Sequence, residues 1–468
     1  MNTLDEVEMS TRGQAYLRSL VGRRVAVLGL AKSGVAAARL LRAVGADVVG
    51  TDAKPVGALG REVAALADLG VRLFTGPGES ASALAGADLI VVSPGVPLDT
   101  PSLASVRGRQ VPIIGELELG WRATEADTIA ITGTNGKTTT TALTGAILGL
   151  QARPVLVAGN IGTPLAAHAL EFPADGLVVC EVSSFQLETT ELFQPRVAAV
   201  LNLTPDHLDR HGTFEAYADA KARIFANQTP ADCAVLNADD APTAALASRT
   251  SAPIVWFSRR RELAHGVFVR AGRIAAKLNG HVEEICPLSE IFLRGQHNVE
   301  NVLAATACAL WTGISPEAIR TAISRFRGVA HRIEWVRDLA GVKYYNDSKG
   351  TNVDSTLRAL DSFAEPIVLI AGGKGKGQDF KPLAAASRGR VAHAVLIGED
   401  AEKIGAALTD ARVAVTYARS LQDAVERARG FATLGSIVLL SPACASFDMF
   451  DNFEHRGEVF KKLVERLD

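Results

Sequence analysis

The chain has 468 residues, 48% hydrophobic and 21% charged, values that exclude a disordered or low-complexity protein and predict about three domains at ~150 residues each. Its 49 Lys and Arg against 51 Asp and Glu leave a net charge of −2, so no bulk basic excess points to nucleic acid or an anionic membrane, and an anionic ligand must be held by a local site. No uninterrupted apolar run approaches the ~18 residues of a membrane span, the acidic start lacks the apolar core of a secretory signal, and five scattered cysteines without a CxxC pair argue against disulfides or a cysteine zinc site and for a reducing cytoplasm.

In the first third, residues 25–30, 46–52, 71–75, 87–93 and 111–115 read as buried strands, because they are mostly continuous apolar runs. Helix-like stretches such as 34–44 and 61–69 separate them, and this alternation predicts a doubly wound α/β unit. The first strand runs into Gly29-Leu30-Ala31-Lys32-Ser33-Gly34, a GxGxxG-like turn with Ala31 in place of the middle glycine. Asp52 closes the next strand, where a ribose-binding acid is expected. Three readings stand: an NAD site, a site for another nucleotide diphosphate, or a plain tight turn. No dehydrogenase His or Tyr-Lys set accompanies the turn, which favours pyrophosphate binding without hydride chemistry. A second glycine turn, Ser93-Pro94-Gly95, ends a later strand at the same expected edge.

A second unit begins near Thr124. Strands are predicted at 128–132, 155–158, 177–181, 197–202 and 233–237, with an antiparallel edge in the less regular stretch 277–294. Two helices close the unit, one over 296–311 ending at Gly313 and the next with Ser315 as N-cap and Pro316 at its first position. The strongest local signal is Gly133-Thr134-Asn135-Gly136-Lys137-Thr138-Thr139 between an apolar strand and a helix over 141–150. Small residues let backbone N–H groups wrap phosphate oxygens, and the helix N-terminus adds positive potential. Lys137 can bridge phosphates and the Thr138 hydroxyl can ligate Mg²⁺. Two residues separate Gly133 from Gly136, where the strict GxxxxGK[ST] pattern has four.

Further along, Glu181 ends an apolar strand in Cys180-Glu181-Val182-Ser183-Ser184; it is either a Mg²⁺ ligand or half of a salt bridge. Thr204-Pro205-Asp206-His207-Leu208-Asp209-Arg210-His211 crowds titratable groups into a loop at a strand's carboxyl end; two histidines there suggest zinc only if a third ligand exists. Phe214, Tyr217, Lys221 and Ile224 share one helical face, so Lys221 interrupts an apolar stripe. Position alone favours snorkelling to water; the alternative is a buried amine of lowered pKa that takes up CO₂ as a carbamate. Asn298 and Asn301 start the 296–311 helix, as caps or as contacts to a base or ribose.

The last third, from about Val329, is α/β again, with strands predicted at 366–371, 393–397, 413–417 and 436–441. Polar loops recur at the strand ends. Arg332 precedes Asn346-Asp347-Ser348-Lys349-Gly350-Thr351-Asn352, which can hold an anion. Gly372-Gly373-Lys374-Gly375-Lys376-Gly377 lacks the Ser or Thr of a phosphate loop, but its lysines can bind a carboxylate. Ser441-Pro442-Ala443-Cys444-Ala445-Ser446 follows the last strand, with Ser446 a possible helix cap.

GTNGKTT at 133–139, EVSSFQL at 181–187, TPDHLDRH at 204–211, Lys221, GQHNVEN at 295–301 and NDSKGTN at 346–352, in this order over nearly the whole chain, resemble the Mur ligase family of ATP-dependent amide-forming enzymes of peptidoglycan synthesis. Within it, SPACASFDMFDNFEHRG at 441–457 is similar to the branch that adds D-glutamate, and the Rossmann-like start supports that branch. The resemblance implies three α/β domains: an N-terminal Rossmann-like domain over 1–123 that binds the UDP substrate, a central P-loop ATPase-like domain over 124–328, and a C-terminal Rossmann-like domain over 329–468 that binds the amino acid. It implies that ATP phosphorylates the terminal carboxylate of UDP-N-acetylmuramoyl-L-alanine and that D-glutamate attacks the acyl phosphate.

By motif, Gly133, Thr134, Asn135, Gly136, Lys137, Thr138 and Thr139 would hold the phosphates of ATP, and Asn301, Arg332 and Asp347 its adenosine part. Thr138 and Glu181 would ligate Mg²⁺, and His207 with N6-carboxylated Lys221 a second metal. Asn160 and Ser183 would contact the muramoyl substrate, and Ser33, Asp52, Lys54 and Gly95 would line the UDP site. Lys349, Thr351, Lys376, Ser446 and Phe453 would position D-glutamate, with Lys376 preferred over Lys374. Lys32 departs from the small residue common in the family's uridine turn. The expected partners are these two substrates, with no nucleic acid, no membrane insertion and a cytoplasmic monomer.

Overall fold

The computed structural model describes residues 11–278, 280–375 and 377–468. The apolar runs become strands of three sheets. The first contains β1 (Arg24–Leu28), β2 (Asp47–Asp52), β3 (Arg72–Thr75), β4 (Leu89–Val92) and β5 (Ile113–Gly115), all parallel in the order β3-β2-β1-β4-β5. The order reverses between β1 and β4, the switch point where α/β sheets open a ligand crevice at their carboxyl ends. Both predicted glycine turns lie there.

The second sheet contains β6 (Asp127–Thr132), β7 (Val155–Gly159), β8 (Leu177–Glu181), β9 (Val197–Val200), β10 (Cys233–Asn237), β11 (Ile254–Ser258), β12 (Gly266–Arg270), β13 (Arg273–Lys277) and β14 (Val282–Pro287), in the order β14-β13-β12-β11-β10-β9-β6-β8-β7. Pairing is parallel from β7 through β12 and antiparallel at β12–β13–β14. The expected antiparallel edge exists, but it runs from residue 266 to 287 rather than over 277–294.

The third sheet contains β15 (Glu334–Leu339), β16 (Val342–Asn346), β17 (Ile367–Gly372), β18 (Val391–Ile397), β19 (Val415–Tyr417) and β20 (Ile437–Leu440), ordered β15-β16-β20-β17-β18-β19. Along β17, Ile367, Leu369 and Ala371 join one core while Val368 and Ile370 join the other. Side chains alternate across a strand, so burial on both faces produces the unbroken apolar run seen in the sequence.

The chain folds as two compact units. Met1–Glu290 with Val299–Ser324 form the first, carrying the first two sheets; Ile291–Asn298 with Arg325–Asp468 form the second, carrying the third sheet. Among the described residues no helix is long and apolar enough to cross a membrane.

Candidate active site

β6 ends at Thr132 and the chain turns into the Lys137–Leu148 helix, which starts four residues earlier than predicted, at the lysine itself. Gly136 precedes it with φ 84°, and a Cβ there would lie 2.1 Å from Asn301 Oδ1, so this position requires glycine. The short loop is held from both sides. Asn202, just past β9, accepts from the Asn135 N–H through Oδ1 at 2.8 Å and donates from Nδ2 to the Asn135 carbonyl at 3.2 Å. Thr134 Oγ1 lies 3.0 Å from the Tyr217 hydroxyl and accepts from the Thr204 N–H at 3.0 Å. Lys137 Nζ folds over the loop, donating to the carbonyls of Gly133 and Thr134 at 2.8 Å each. Thr138 and Thr139 are buried in the first helical turn.

β8 lies beside β6, with Glu181 in register with Ile131. The Glu181 side chain is 3% exposed. Its Oε1 accepts from Asn160 Nδ2 at 2.8 Å, and its Oε2 is buried with no hydrogen-bond partner. A buried carboxylate oxygen left unpartnered is costly. A hard cation satisfies it, and Mg²⁺ needs only one or two protein oxygens beside waters and phosphates. This is the donor set that Glu181 and Thr138 offer. Among the described residues no three His, Cys, Asp or Glu side chains gather at a metal position, so a zinc site in the 204–211 loop is not formed. Ser183 spends its hydroxyl capping the Ser184–Leu187 helix.

Lys221 lies on the Phe214–Ala222 helix and is 1% exposed, so it does not snorkel. The helix face carries it under the phosphate loop, where Nζ donates to the Gly133 carbonyl at 2.9 Å and to Thr132 Oγ1 at 3.3 Å. Burial, reinforced by the Lys137 charge, holds this amine well below the usual lysine range. His207 sits in the left-handed region at φ 51°, half exposed, with its ring 4.9 Å from that of Phe185. His211 turns inward instead, 3.0 Å from Ser184 Oγ and 3.3 Å from Glu188.

Asn301 is buried beneath the loop, its Oδ1 accepting from Thr140 Oγ1 at 3.3 Å. From there the amide supports the loop from inside. Asn298 donates to the Arg294 carbonyl at 2.6 Å.

At the switch point of the first sheet, the Ser93 hydroxyl donates to the Gly29 carbonyl at 2.7 Å. A Cβ on Gly34 would lie 1.8 Å from that same carbonyl, so the turn closes only with glycine there. Asp52 braces the turn by accepting from the Leu30 N–H at 2.8 Å and the Lys54 N–H at 2.9 Å. Gly95 faces open space, the Lys54 side chain is exposed and Ser33 is half-buried.

In the second unit, three loops leave neighbouring strands side by side. The Asp347 N–H donates to the Leu440 carbonyl at 2.7 Å, and the Gly372 N–H to the Pro442 carbonyl at 2.8 Å. Asp347 is buried, accepting from the Ser441 hydroxyl at 2.7 Å and the Ile333 N–H at 3.2 Å, and burial pushes its carboxyl up to about 7. Arg332 is exposed. Lys349 Nζ stands 5.9 Å from the Phe453 ring, and the Thr351 N–H returns to the Lys349 carbonyl at 2.8 Å. Ser446 is buried, but the following helix is capped by Asn452, which accepts from the His455 N–H at 2.7 Å. Lys374 Nζ lies 3.7 Å from Glu399. Lys376 lies outside the described residues.

Three family models match in chain order: "Mur ligase MurD-like, N-terminal domain" over 23–115, "Mur ligase middle domain" over 131–309 and "Mur ligase, glutamate ligase domain" over 331–444. The UDP-N-acetylmuramoylalanine–D-glutamate ligase of Acidobacterium capsulatum is 51% identical, covering 95% of this chain and 96% of its own. The chain belongs to the Mur ligase family. The ligase of the same name from Koribacter versatilis is 48% identical over 95% of this chain and 98% of its own. The fold is shared with the Thermotoga maritima UDP-N-acetylmuramate-alanine ligase, at TM-score 0.58 and 21% identity over 94% of this chain and 99% of that one. Mur ligases use ATP and Mg²⁺ to form amide bonds in peptidoglycan synthesis.

Four residues of this Mur ligase escaped sequence reasoning. Asn202 and Tyr217 clamp the phosphate loop, but in sequence one only ends a strand and the other only joins an apolar stripe. Glu116 is fully buried on the Glu116–Ala123 helix, and charge within an otherwise apolar helical face was its one signal. Arg456 is 1% exposed and donates to Ser348 Oγ at 2.9 Å, to the Ser348 carbonyl at 2.8 Å and twice to the Cys444 carbonyl at 3.2 Å. It ties two of the strand-end loops together.

Proposed function

We propose that this Mur ligase joins D-glutamate to UDP-N-acetylmuramoyl-L-alanine, converting ATP to ADP and phosphate. The observation that carries the reading is full-length similarity to ligases of that name, at 51% and 48% identity. The substrate carboxylate attacks the γ-phosphorus of ATP, giving an acyl phosphate and ADP. The D-glutamate amine then attacks the carbonyl carbon, and the tetrahedral intermediate expels phosphate as the C–N bond is kept.

Both reactants of the first step are anions, so charge must be suppressed where they meet. Thr138 and Glu181 would hold Mg²⁺, which would supply the opposing positive charge when bound. Lys137 holds the phosphates against the 133–139 loop, and Asn160 keeps the Glu181 carboxylate turned to its cation. We assign a second Mg²⁺ to His207 with Lys221 in its N6-carboxylated form. The buried, low-pKa amine of Lys221 is the chemistry that CO₂ requires.

Asn160 and Ser183 are assigned to the muramoyl substrate, and Ser33, Asp52, Lys54 and Gly95 to UDP. Asn301 is assigned to the nucleotide, as are Arg332 and Asp347 of the second unit. Lys349, Thr351, Lys376, Ser446 and Phe453 are assigned to D-glutamate. The domain limits at 123/124 and 328/329, a monomeric state and a cytoplasmic site of action complete the reading. Phosphate release from ATP with the UDP substrate and each amino acid in turn tests it. Release with D-glutamate but not L-alanine is expected; the reverse rejects the assignment.

A further inference from the structure

The helix Glu116–Ala123 leaves β5 and carries two buried carboxylates, Glu116 at 1% and Glu118 at 0% exposure. An apolar helix would pack these positions without the cost of burying charge. Glu116 instead accepts from backbone that precedes Glu181 in the chain, and Glu118 from backbone that follows it and from Arg122 Nε. Glu116 Oε1 accepts from the Ala166 N–H at 2.7 Å. Gly120 on the same helix is pressed so close that a Cβ would lie 2.8 Å from the Ala166 nitrogen. Glu118 accepts from the N–H groups of Glu191, Leu192 and Phe193 at 3.0, 2.8 and 3.0 Å.

The Glu116 contact is linked through the Asn160 loop to Glu181, the carboxylate assigned above to Mg²⁺. Ala166 lies in the 3-10 turn Leu165–Ala167, which follows the Asn160 loop. That loop is closed by the Gly159 N–H donating to the Thr163 carbonyl at 2.9 Å. Asn160 is then fixed on Glu181 twice, by its N–H to the Glu181 carbonyl at 2.8 Å and by its side chain to Oε1 at 2.8 Å. Burial pushes the Glu116 carboxyl up to about 7 and leaves Oε2 without a partner, so what the position supplies is the acceptor for the Ala166 N–H rather than a fixed charge.

We propose that Glu116 is a positioning residue of the active site: through Ala166 it holds the 159–166 loop so that Asn160 keeps Glu181 oriented toward Mg²⁺. This rests on the ATP-dependent reaction proposed above. The test measures Mn²⁺ binding by electron paramagnetic resonance in the presence of a non-hydrolysable ATP analogue, alongside steady-state kinetics, for the full-length wild type and for Glu116→Ala, Glu116→Asp and Glu116→Gln. Groups that orient metal ligands cost roughly 10- to 100-fold in metal affinity when removed. The Mn²⁺ Kd is therefore expected to rise about tenfold in Glu116→Ala, with KM for the UDP substrate raised and KM for D-glutamate unchanged. Glu116→Gln, whose amide oxygen still accepts from Ala166, is expected to bind Mn²⁺ like wild type.

If Glu116→Ala does not fold, Glu116→Asp reads the same point, because its shorter side chain withdraws from Ala166. An effect of Glu116→Ala that vanishes in an Asn160→Ala background supports transmission through Asn160. A folded Glu116→Ala or Glu116→Asp with wild-type Mn²⁺ affinity overturns the inference. A wild type that ligates a different amino acid overturns only the substrate assignment, since the Mn²⁺ measurement does not involve D-glutamate.

Discussion

Replacing Arg456 with Met removes the guanidinium and keeps most of the stem. The arginine is 1% exposed and makes four hydrogen bonds to three acceptors, Ser348 Oγ, Ser348 O and Cys444 O. Ser348 Oγ keeps its own bond to the Phe453 carbonyl at 2.8 Å, so two carbonyls lose most. Each buried acceptor stranded this way costs about 1–3 kcal/mol. Against this stands the relief of burying a cation, which already pushes the Arg456 pKa down to about 10. The two carbonyls together cost about 2–6 kcal/mol and the relief offsets about 3 kcal/mol, so a net loss of up to about 3 kcal/mol remains, local to the loops after β16 and β20. Native-state hydrogen exchange reads it: amides in 346–351 and 442–447 are expected to exchange faster, by up to about a hundredfold, and KM for D-glutamate to rise at least several-fold. Lysine cannot rescue, because one ammonium does not span both loops. Unchanged exchange in both segments of Arg456→Met would refute this reasoning.

Three further predictions follow from the geometry. Wild-type activity is expected to fall when CO₂ is removed and to recover with bicarbonate, with ¹³C-bicarbonate labelling a carbamate carbon in wild type and not in Lys221→Arg; a fully active Lys221→Ala in CO₂-depleted buffer refutes the carbamate. Asp347 has a native pKa of about 7 against 3.8 ordinarily, so its contribution to stability is fully present below pH 3.8 and lost as pH rises through about 7. Asp347→Asn is therefore expected to be the more stable protein at pH 8.5, by at most about 4 kcal/mol, with the advantage shrinking toward pH 4.5; thermal midpoints at the two pH values decide, and an advantage that grows on acidification contradicts the assignment. Ala340→Asn is expected to stabilise the second unit by roughly 1 kcal/mol, read as a raised unfolding midpoint, because Ala340 at φ 52° precedes Gly341 at φ 77° in a two-residue hairpin turn.

That turn also shows where sequence reading stopped. The parallel strands were legible because burial on both faces makes them unbroken apolar runs. β12–β13 and β15–β16 were not, for they join through Ala271-Gly272 and Ala340-Gly341, with alanines at positive φ where Asn or Asp usually signals a hairpin. β11 is an apolar run behind Pro253 that the sequence does carry. The phosphate loop was legible because backbone approach demands glycine and the chemistry demands Lys-Thr. Position alone misplaces Lys221: periodicity puts it on an apolar face, but only the fold shows that the face lies under Gly133 rather than at the surface. Asn301, near a helix start, has no local mark of what lies behind it, so only the fold shows that it sits beneath the phosphate loop. Arg456 reaches the Ser348 carbonyl 108 residues away and Glu116 the Ala166 N–H 50 residues away, pairings that no local pattern encodes.

The most direct measurement is the product itself. Purified protein incubated with ATP, Mg²⁺, UDP-N-acetylmuramoyl-L-alanine and ¹⁸O label in the terminal carboxylate of that substrate, with D-glutamate added, should yield the amide and phosphate that carries one ¹⁸O, the mark of an acyl phosphate. Amide formed without ¹⁸O in the phosphate, or no amide with D-glutamate while L-alanine is accepted, would contradict the account.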